Sequence, residues 1–446
     1  MVINTMKKPT AALNRATEVL KALPLDYLIR ADHPFGVRLP SPTGMWALSQ
    51  SRGFFEGLTS TVLKRSGGFS KAWLLALAFL LVSAGAEWRR WHGVAARAAV
   101  PLTVSKAKAR RFVLTEHSAA TIPMPAGVPA AHASALAALP NGELLACWWA
   151  GARESAPDVR IYIARWRDGR WSDARAIVDR EALAKSLHMG VRRIGNPVMW
   201  VADDGRVHLY IVATGLGGWA AGRVAQLVSD DGGRNFVAKR LLPLTPLWNT
   251  SVLVRTRPVG LSDGGWLLPA YFELGHKYPM VISFDAHGEP RWVQRIGDKV
   301  TSLQPALLPL SGTELRAMMR DISPQRRVQQ AVSHDGGLSW EDVPASALAN
   351  RDNSVAGLQL AGGGYVLLHN DTLPGGSSPR QWLRLSTSAD GQTWTPGPDT
   401  QRGVAGDEFS YPSIVQIGQQ LHVTYTQQRT AIAHRVYDIK YLEDSP

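Results

Sequence analysis

From Phe112 to Tyr441 the chain alternates short apolar runs with glycine-bearing polar breaks, the pattern of strands joined by tight turns. Leu139-Pro140-Asn141-Gly142 leads into Leu144-Leu145, and Asp203-Asp204-Gly205 into Val207-His208-Leu209-Tyr210-Ile211. The same form returns at Ser262-Asp263-Gly264-Gly265, Ser311-Gly312, Gly362-Gly363-Gly364 and Gly418, each followed by a new apolar run. The intervals between Gly142, Gly205, Gly264, Gly312, Gly363 and Gly418 are 63, 59, 48, 51 and 55 residues. A second turn interleaves with these, clearest at Ser333-His334-Asp335-Gly336-Gly337-Leu338-Ser339-Trp340. Ser229–Phe236 keeps its spacing, Ser388–Trp394 is one residue shorter, and Asp168–Trp171 and Ser283–Trp292 are eroded copies. The aspartates of this turn follow the first five hairpin glycines by 26, 26, 21, 23 and 27 residues. In such a turn serine and aspartate bond backbone amides, glycine takes a positive φ, and the aromatic ring locks the loop. Two interleaved periods near fifty residues predict radially repeated four-stranded sheets: an all-β, six-bladed propeller. The run Ala433–Tyr441 lacks a hairpin partner of its own and is expected to pair with a strand near Phe112–Ile122, closing the ring.

Charge separates the propeller from what precedes it. Residues 1–111 hold 17 Lys/Arg against 5 Asp/Glu, leaving 32 and 31 of the chain's 49 and 36 for the rest. The propeller is therefore near neutral, and nucleic acid is not its expected partner. Four segments follow: an extension over 1–70, with one short helix at Thr10–Leu23 and no assigned role, an apolar segment over 71–88, a basic linker over 89–111, and the propeller over 112–446. Ala72–Ala86 is 15 uncharged residues after Lys64, Arg65 and Lys71, ending Ala84-Gly85-Ala86. That is the order of a secretory signal, cleaved if translation starts internally (Met45 is available), or retained as a membrane anchor through 72–86. Either places the propeller outside the cytoplasm. The single cysteine, Cys147, lies in an apolar run and is expected in the core. The twelve histidines show no paired metal-ligand spacing, so neither a catalytic metal nor a cofactor is expected.

The Ser-x-Asp-x-Gly-x-x-Trp turn is the Asp box, and over about residues 112–441 the chain resembles the sialidase (neuraminidase) superfamily. The resemblance is nearest to the bacterial "predicted neuraminidase" branch, through His-Ala-Ser, Gln-Pro-Ala-Leu, His369-Asn370, Ser410-Tyr411-Pro412 and Tyr425-Thr426 … Arg429. In that family the boxes are structural and the chemistry lies elsewhere. The resemblance makes Tyr411 the nucleophile, Asp158 the general acid with Arg153 before it, and Arg320 and Arg380 two members of a carboxylate-binding arginine triad. A planar guanidinium suits that task because its fork grips a carboxylate and keeps its charge. A tyrosine nucleophile is the family's exception to the two-carboxylate scheme of glycosidases.

Two positions depart from the pattern. His132 stands where the resemblance expects the third arginine, and its charge, with an ordinary pKa near 6.5, would depend on pH. Gln304 stands where the glutamate that activates the tyrosine is expected, leaving Glu273 or Glu408 to take its part. The reading is an exported exo-glycosidase on a terminal acidic sugar, its partner an acidic glycan. The alternatives are a lyase on uronic-acid glycans, using histidine and tyrosine, and a glycan-binding propeller without catalysis. Trp148, Trp149, Trp219, Trp248 and Trp382 are further candidates for sugar stacking.

Overall fold

The computed structural model describes residues 71–92, 98–107, 110–244, 249, 251–371 and 380–442. Chain packing divides the protein into two units, Met1–Gly85 and Ala86–Pro446. The second is the expected propeller, six antiparallel sheets. The first blade uses Ala130–Ala138, Leu144–Gly151, Arg160–Arg167 and the short pieces Arg170–Trp171 and Arg175–Asp179. The next four begin at Arg193, Val252, Ser302 and Ala356. The sixth closes the ring: Phe409–Ile417, Gln420–Gln427 and Ala431–Tyr441 are completed by Phe112–Thr121. In that pairing Phe112 lies opposite Tyr441 and Thr121 opposite Ala433, with a bulge between Glu116 and Ser118.

The two turn families sort by position within a blade. All six glycine hairpins join first and second strands, and all five aspartate turns join third and fourth. In the turn after Gln329–Ser333, the Ser333 hydroxyl donates to Asp335 at 2.8 Å and accepts the Gly337 amide at 2.9 Å. Asp335 accepts the Ser339 amide at 2.8 Å, and the Trp340 indole N–H donates to the Gly337 carbonyl at 3.0 Å. Gly337 needs its φ of +94°, which only a residue without Cβ adopts without strain. Both turn families lie at the same end of the strands. The second-to-third-strand loops project from the other.

Adjacent blades cover both faces of the inner strands, so alternation disappears there. Leu144–Gly151 is buried at every position, Cys147 with it as a free thiol. Burial on both faces selects an unbroken apolar run. Residues 101–105, expected as linker, strap the propeller instead. The Leu102 amide bonds the Gly312 carbonyl, Thr103 bonds Gly260, and Ser105 bonds Gln359 and Ala361. Leu102 is the reason: it is an apolar side chain in a polar stretch, and it is buried in the core between the third and fourth blades.

The apolar segment forms part of helix Lys71–His92, with Leu75, Phe79, Leu80, Leu81 and Val82 largely exposed. The expected membrane anchor is not supported: among the described residues no helix is long and apolar enough to cross a membrane. Fifteen residues at 1.5 Å each reach about 22 Å, short of the roughly 30 Å hydrocarbon core. The helix expected at Thr10–Leu23 lies outside the described residues.

Candidate functional site

The site is built by bulges in the inner strands. Register slips between His132 and Ala135, Gly195 and Val198, Leu303 and Ala306, and Ser410 and Ser413. At each slip one non-glycine residue takes a left-handed backbone: Ala133 (φ 59°), Asn196 (43°), Gln304 (49°) and Tyr411 (52°). A bulge lifts a residue out of the pleat and turns its side chain toward a new direction. Proline follows three of the four, at Pro197, Pro305 and Pro412, where no ladder N–H is required. Such backbone costs about 1–3 kcal/mol per residue, and its recurrence in the first strand of four of the six blades marks a built site.

Tyr411 is its centre. Its phenolic oxygen accepts a bond from Arg320 Nη1 at 3.3 Å, and the same nitrogen donates to Gln304 Oε1 at 3.2 Å. Gln304 Nε2 donates onward to the Tyr271 hydroxyl at 3.2 Å, which also accepts from Asn196 at 3.3 Å. Arg320 is anchored by Asp352, its Nε and Nη2 both 2.7 Å from one carboxylate oxygen. The Arg255 and Arg380 guanidiniums lie 5.1 and 5.7 Å from the Tyr411 ring centroid, in cation–π range. The His132 ring packs on the tyrosine with centroids 4.2 Å apart.

Burial alone would raise the Tyr411 pKa. The fields of Arg320 and Arg380, with bonds from Arg320 and Gln304, outweigh it and hold the phenol below its ordinary value near 10. Tyr271 goes the other way, raised by burial and by the neighbouring charges of Tyr411 and Glu273, so it stays a neutral hydroxyl. Burial lowers His132 well below 6.5, reinforced by Arg429, Arg380, Arg255 and Arg320. The expectation of a histidine that charges as pH falls toward 6 therefore fails: four guanidiniums already surround an imidazole that is 2% exposed.

Arg380 donates to Glu408 at 2.8 Å and to Asn353 at 2.9 Å, and Glu408 also accepts from Ser410 and Arg429 at 2.8 Å. Arg429 reaches across to Glu154 at 2.7 Å. Burial opposes ionisation of Glu408, but Arg429, Arg380 and Ser410 together keep its carboxyl below the usual range. The cluster holds four guanidiniums and the carboxylates of Asp352, Glu408 and Glu154, an excess of positive charge beside a phenol. Among the described residues no group of acids, histidines or cysteines could hold a metal ion.

The sequence model of the BNR repeat-like domain matches residues 142–423, more than half of the chain. The chain belongs to that family. No curated protein matches the sequence. Among solved structures, a Hadza microbial sialidase is similar at 16% identity and TM-score 0.57, covering 70% of this chain and 66% of its own. A Dyadobacter fermentans protein of unknown function aligns over 73% of this chain and 99% of its own, at 14% identity and TM-score 0.59. A Trypanosoma rangeli sialidase mutant with trans-sialidase activity matches at 15% identity and TM-score 0.53, over 75% and 60%. At these identities the likeness is one of fold, a six-bladed propeller.

On this BNR repeat-like propeller, the residues expected from sequence fall into two groups. Tyr411, Gln304, Arg320, Arg380 and His132 converge as described. Asp158 and Arg153 lie exposed in the loop before Arg160–Arg167; Asp158 accepts the Ala152 amide at 2.8 Å, and no described bond ties either to Tyr411. Glu273 pairs with Lys277 at 3.0 Å rather than with the tyrosine. The second candidate base, Glu408, sits within the arginine cluster without touching the phenol oxygen. Of the tryptophans, Trp148 is core, whereas Trp219 bonds Ser155 and Trp149 packs near His132; Trp248 lies outside the described residues. Sequence reading missed Arg255, which donates to the Ser134 and Pro412 carbonyls at 3.1 and 2.9 Å and so ties two bulges together. The available signal was a pair of arginines, Arg255 and Arg257, at the end of the apolar inner strand Val252–Val254.

Proposed function

We propose that this protein is a glycoside hydrolase that removes a terminal acidic sugar with retention, using Tyr411 as nucleophile. The observation that carries the reading is a tyrosine phenol bonded to Arg320, which also holds Gln304, with its pKa lowered by surrounding arginines. A phenol so held supplies phenolate more readily than free tyrosine. In the first step the Tyr411 phenolate oxygen bonds to the anomeric carbon, the bond to the leaving oxygen breaks, and Asp158 gives that oxygen its proton. In the second, water replaces tyrosine at the same carbon and returns a proton to Asp158. Arg320 and Arg380, joined by Arg429, receive the sugar's carboxylate. Arg429 takes the part expected of the third arginine, with neutral His132 packed beneath.

A second reading has its own support. A neutral histidine ring 4.2 Å from a tyrosine also suits β-elimination from a uronic-acid chain, with one group taking the α-proton and the other protonating the leaving oxygen. Digestion of acidic glycans separates the two. The hydrolase yields a saturated monosaccharide that disappears with Tyr411→Phe while binding is retained; a 4,5-unsaturated, ultraviolet-absorbing product selects the lyase. Binding with neither product reduces the protein to a glycan-binding propeller.

A further inference from the structure

Beneath Tyr411 the inner strands enclose a cavity of about 10 Å³, room for roughly one water-sized particle. Every blade contributes to its wall: Leu136, Met199, Arg255, Ala306, Gly357 and Ser413 come one from each. The wall includes two arginines, Arg255 and Arg257, and no carboxylate. Arg255 is 2% exposed and leaves its Nε buried without a hydrogen-bond partner. Arg257 has no hydrogen bond or ion pair among the described residues, and burial pushes its pKa down to about 10, as it does for Arg255. The Thr256 hydroxyl between them is taken up by the Pro305 carbonyl. Arg255 is the costly one, a buried guanidinium with no carboxylate beside it, since a buried ion is tolerated when it is paired; Arg257 is half-buried and adds a second positive charge to the same wall.

We propose that this axial cavity binds one small monovalent anion of halide size, held by Arg257 and the free Nε–H of Arg255. Size excludes a sugar or a carboxylic acid, and the charge of the lining selects an anion over water. Entry is from the end opposite the arginine cluster: Arg257 also lines a second cavity there with Thr103, Ser105, Lys106, Gln359 and Gln416, again without an acid. The strap of residues 101–105 thus forms part of the mouth. The cavity shares Arg255 with the arginine cluster around Tyr411, whereas Arg257 is not part of that cluster, so a substitution of Arg257 tests the cavity without touching the tyrosine's partners.

The test uses the intact protein at constant ionic strength, exchanging sodium gluconate for chloride or bromide. An ion bound only by the folded state raises its stability with concentration. The expected result is a melting temperature higher by at least about 2 °C in halide, and loss of that increment in Arg257→Met. Bromide-soaked crystals provide a second measurement that does not depend on how the variant folds: an anomalous peak between Arg255 and Arg257. A halide increment that survives in Arg257→Met, or crystals with no bromide in the cavity, would overturn the proposal.

Discussion

Arg320→Met removes the one charge that both touches the Tyr411 oxygen and bonds Gln304. At 3.3 Å and an effective dielectric of 20, a full charge pair would be worth about 5 kcal/mol, which sets a ceiling. Hydrogen bonds to charged groups typically contribute about 1.5–3 kcal/mol. Arg255 and Arg380 remain over the ring, so the lower range applies, and it corresponds to a rise of about 1–2 units in the tyrosine pKa. The freed Asp352 is half exposed and returns to water at little cost, so the fold should hold. Ultraviolet difference titration of tyrosinate, with Tyr411→Phe subtracted, reads this group alone. Arg320→Lys keeps the charge but loses the fork on Asp352 and should fall between wild type and Arg320→Met. If Arg320→Met titrates within a few tenths of wild type, the guanidinium does not set the phenol's acidity and the account of the site is wrong.

Four more outcomes follow from the same contacts. Asp158→Asn should slow glycosides with poor leaving groups far more than activated aryl glycosides, in a comparison of kcat/KM; equal losses would remove Asp158 from the acid role. Arg429→Ala should weaken an acidic-sugar ligand by roughly tenfold or more in calorimetry, with little change for a neutral analogue. His422 and His434 form a neutral pair at 3.1 Å, capped by the Trp171 indole at 3.1 Å, and burial lowers their pKa values to about 4 and about 3. Their stabilising effect is complete above the ordinary value near 6.5 and is lost as pH falls toward those values, so melting temperature should drop steadily from pH 7 to 4. In Gly364→Ala the new Cβ would lie 2.5 Å from the Phe112 ring at a φ of +83°; chemical denaturation should show a loss of about 1–3 kcal/mol, partly recovered on adding Phe112→Ala.

The fold was legible because its spacing is written twice, once in the hairpin glycines and once in the aspartate turns. The closing strand was legible for a negative reason, since Ala433–Tyr441 had no neighbour of its own in sequence. The site was legible only in part. Tyr411, Gln304, Arg320 and Arg380 each sit in recognisable local strings, whereas Arg255 and Arg429 join them through contacts between blades that no window of sequence contains. His132 packs on the Tyr411 ring, but its charge was misjudged, because ionisation depends on burial and on four arginines from other blades. A finer regularity was present. Asn196-Pro197, Gln304-Pro305 and Tyr411-Pro412 recur at intervals of 108 and 107 residues, one for every second blade, and each marks a bulge.

Ring closure also bears on how the protein is made. Phe112, among the first residues of the propeller to leave a ribosome, pairs with Tyr441, among the last. Five blades can assemble during synthesis, but the sixth, which carries Tyr411, stays incomplete until the terminal strand arrives. Contacts so remote in sequence form late and slowly, and the open edge of Phe112–Thr121 waits exposed in the meantime. A formed Tyr411 site therefore certifies a closed ring: a polypeptide cut short before Ala431 would keep most of its blades and have no closed ring on which to hold its tyrosine.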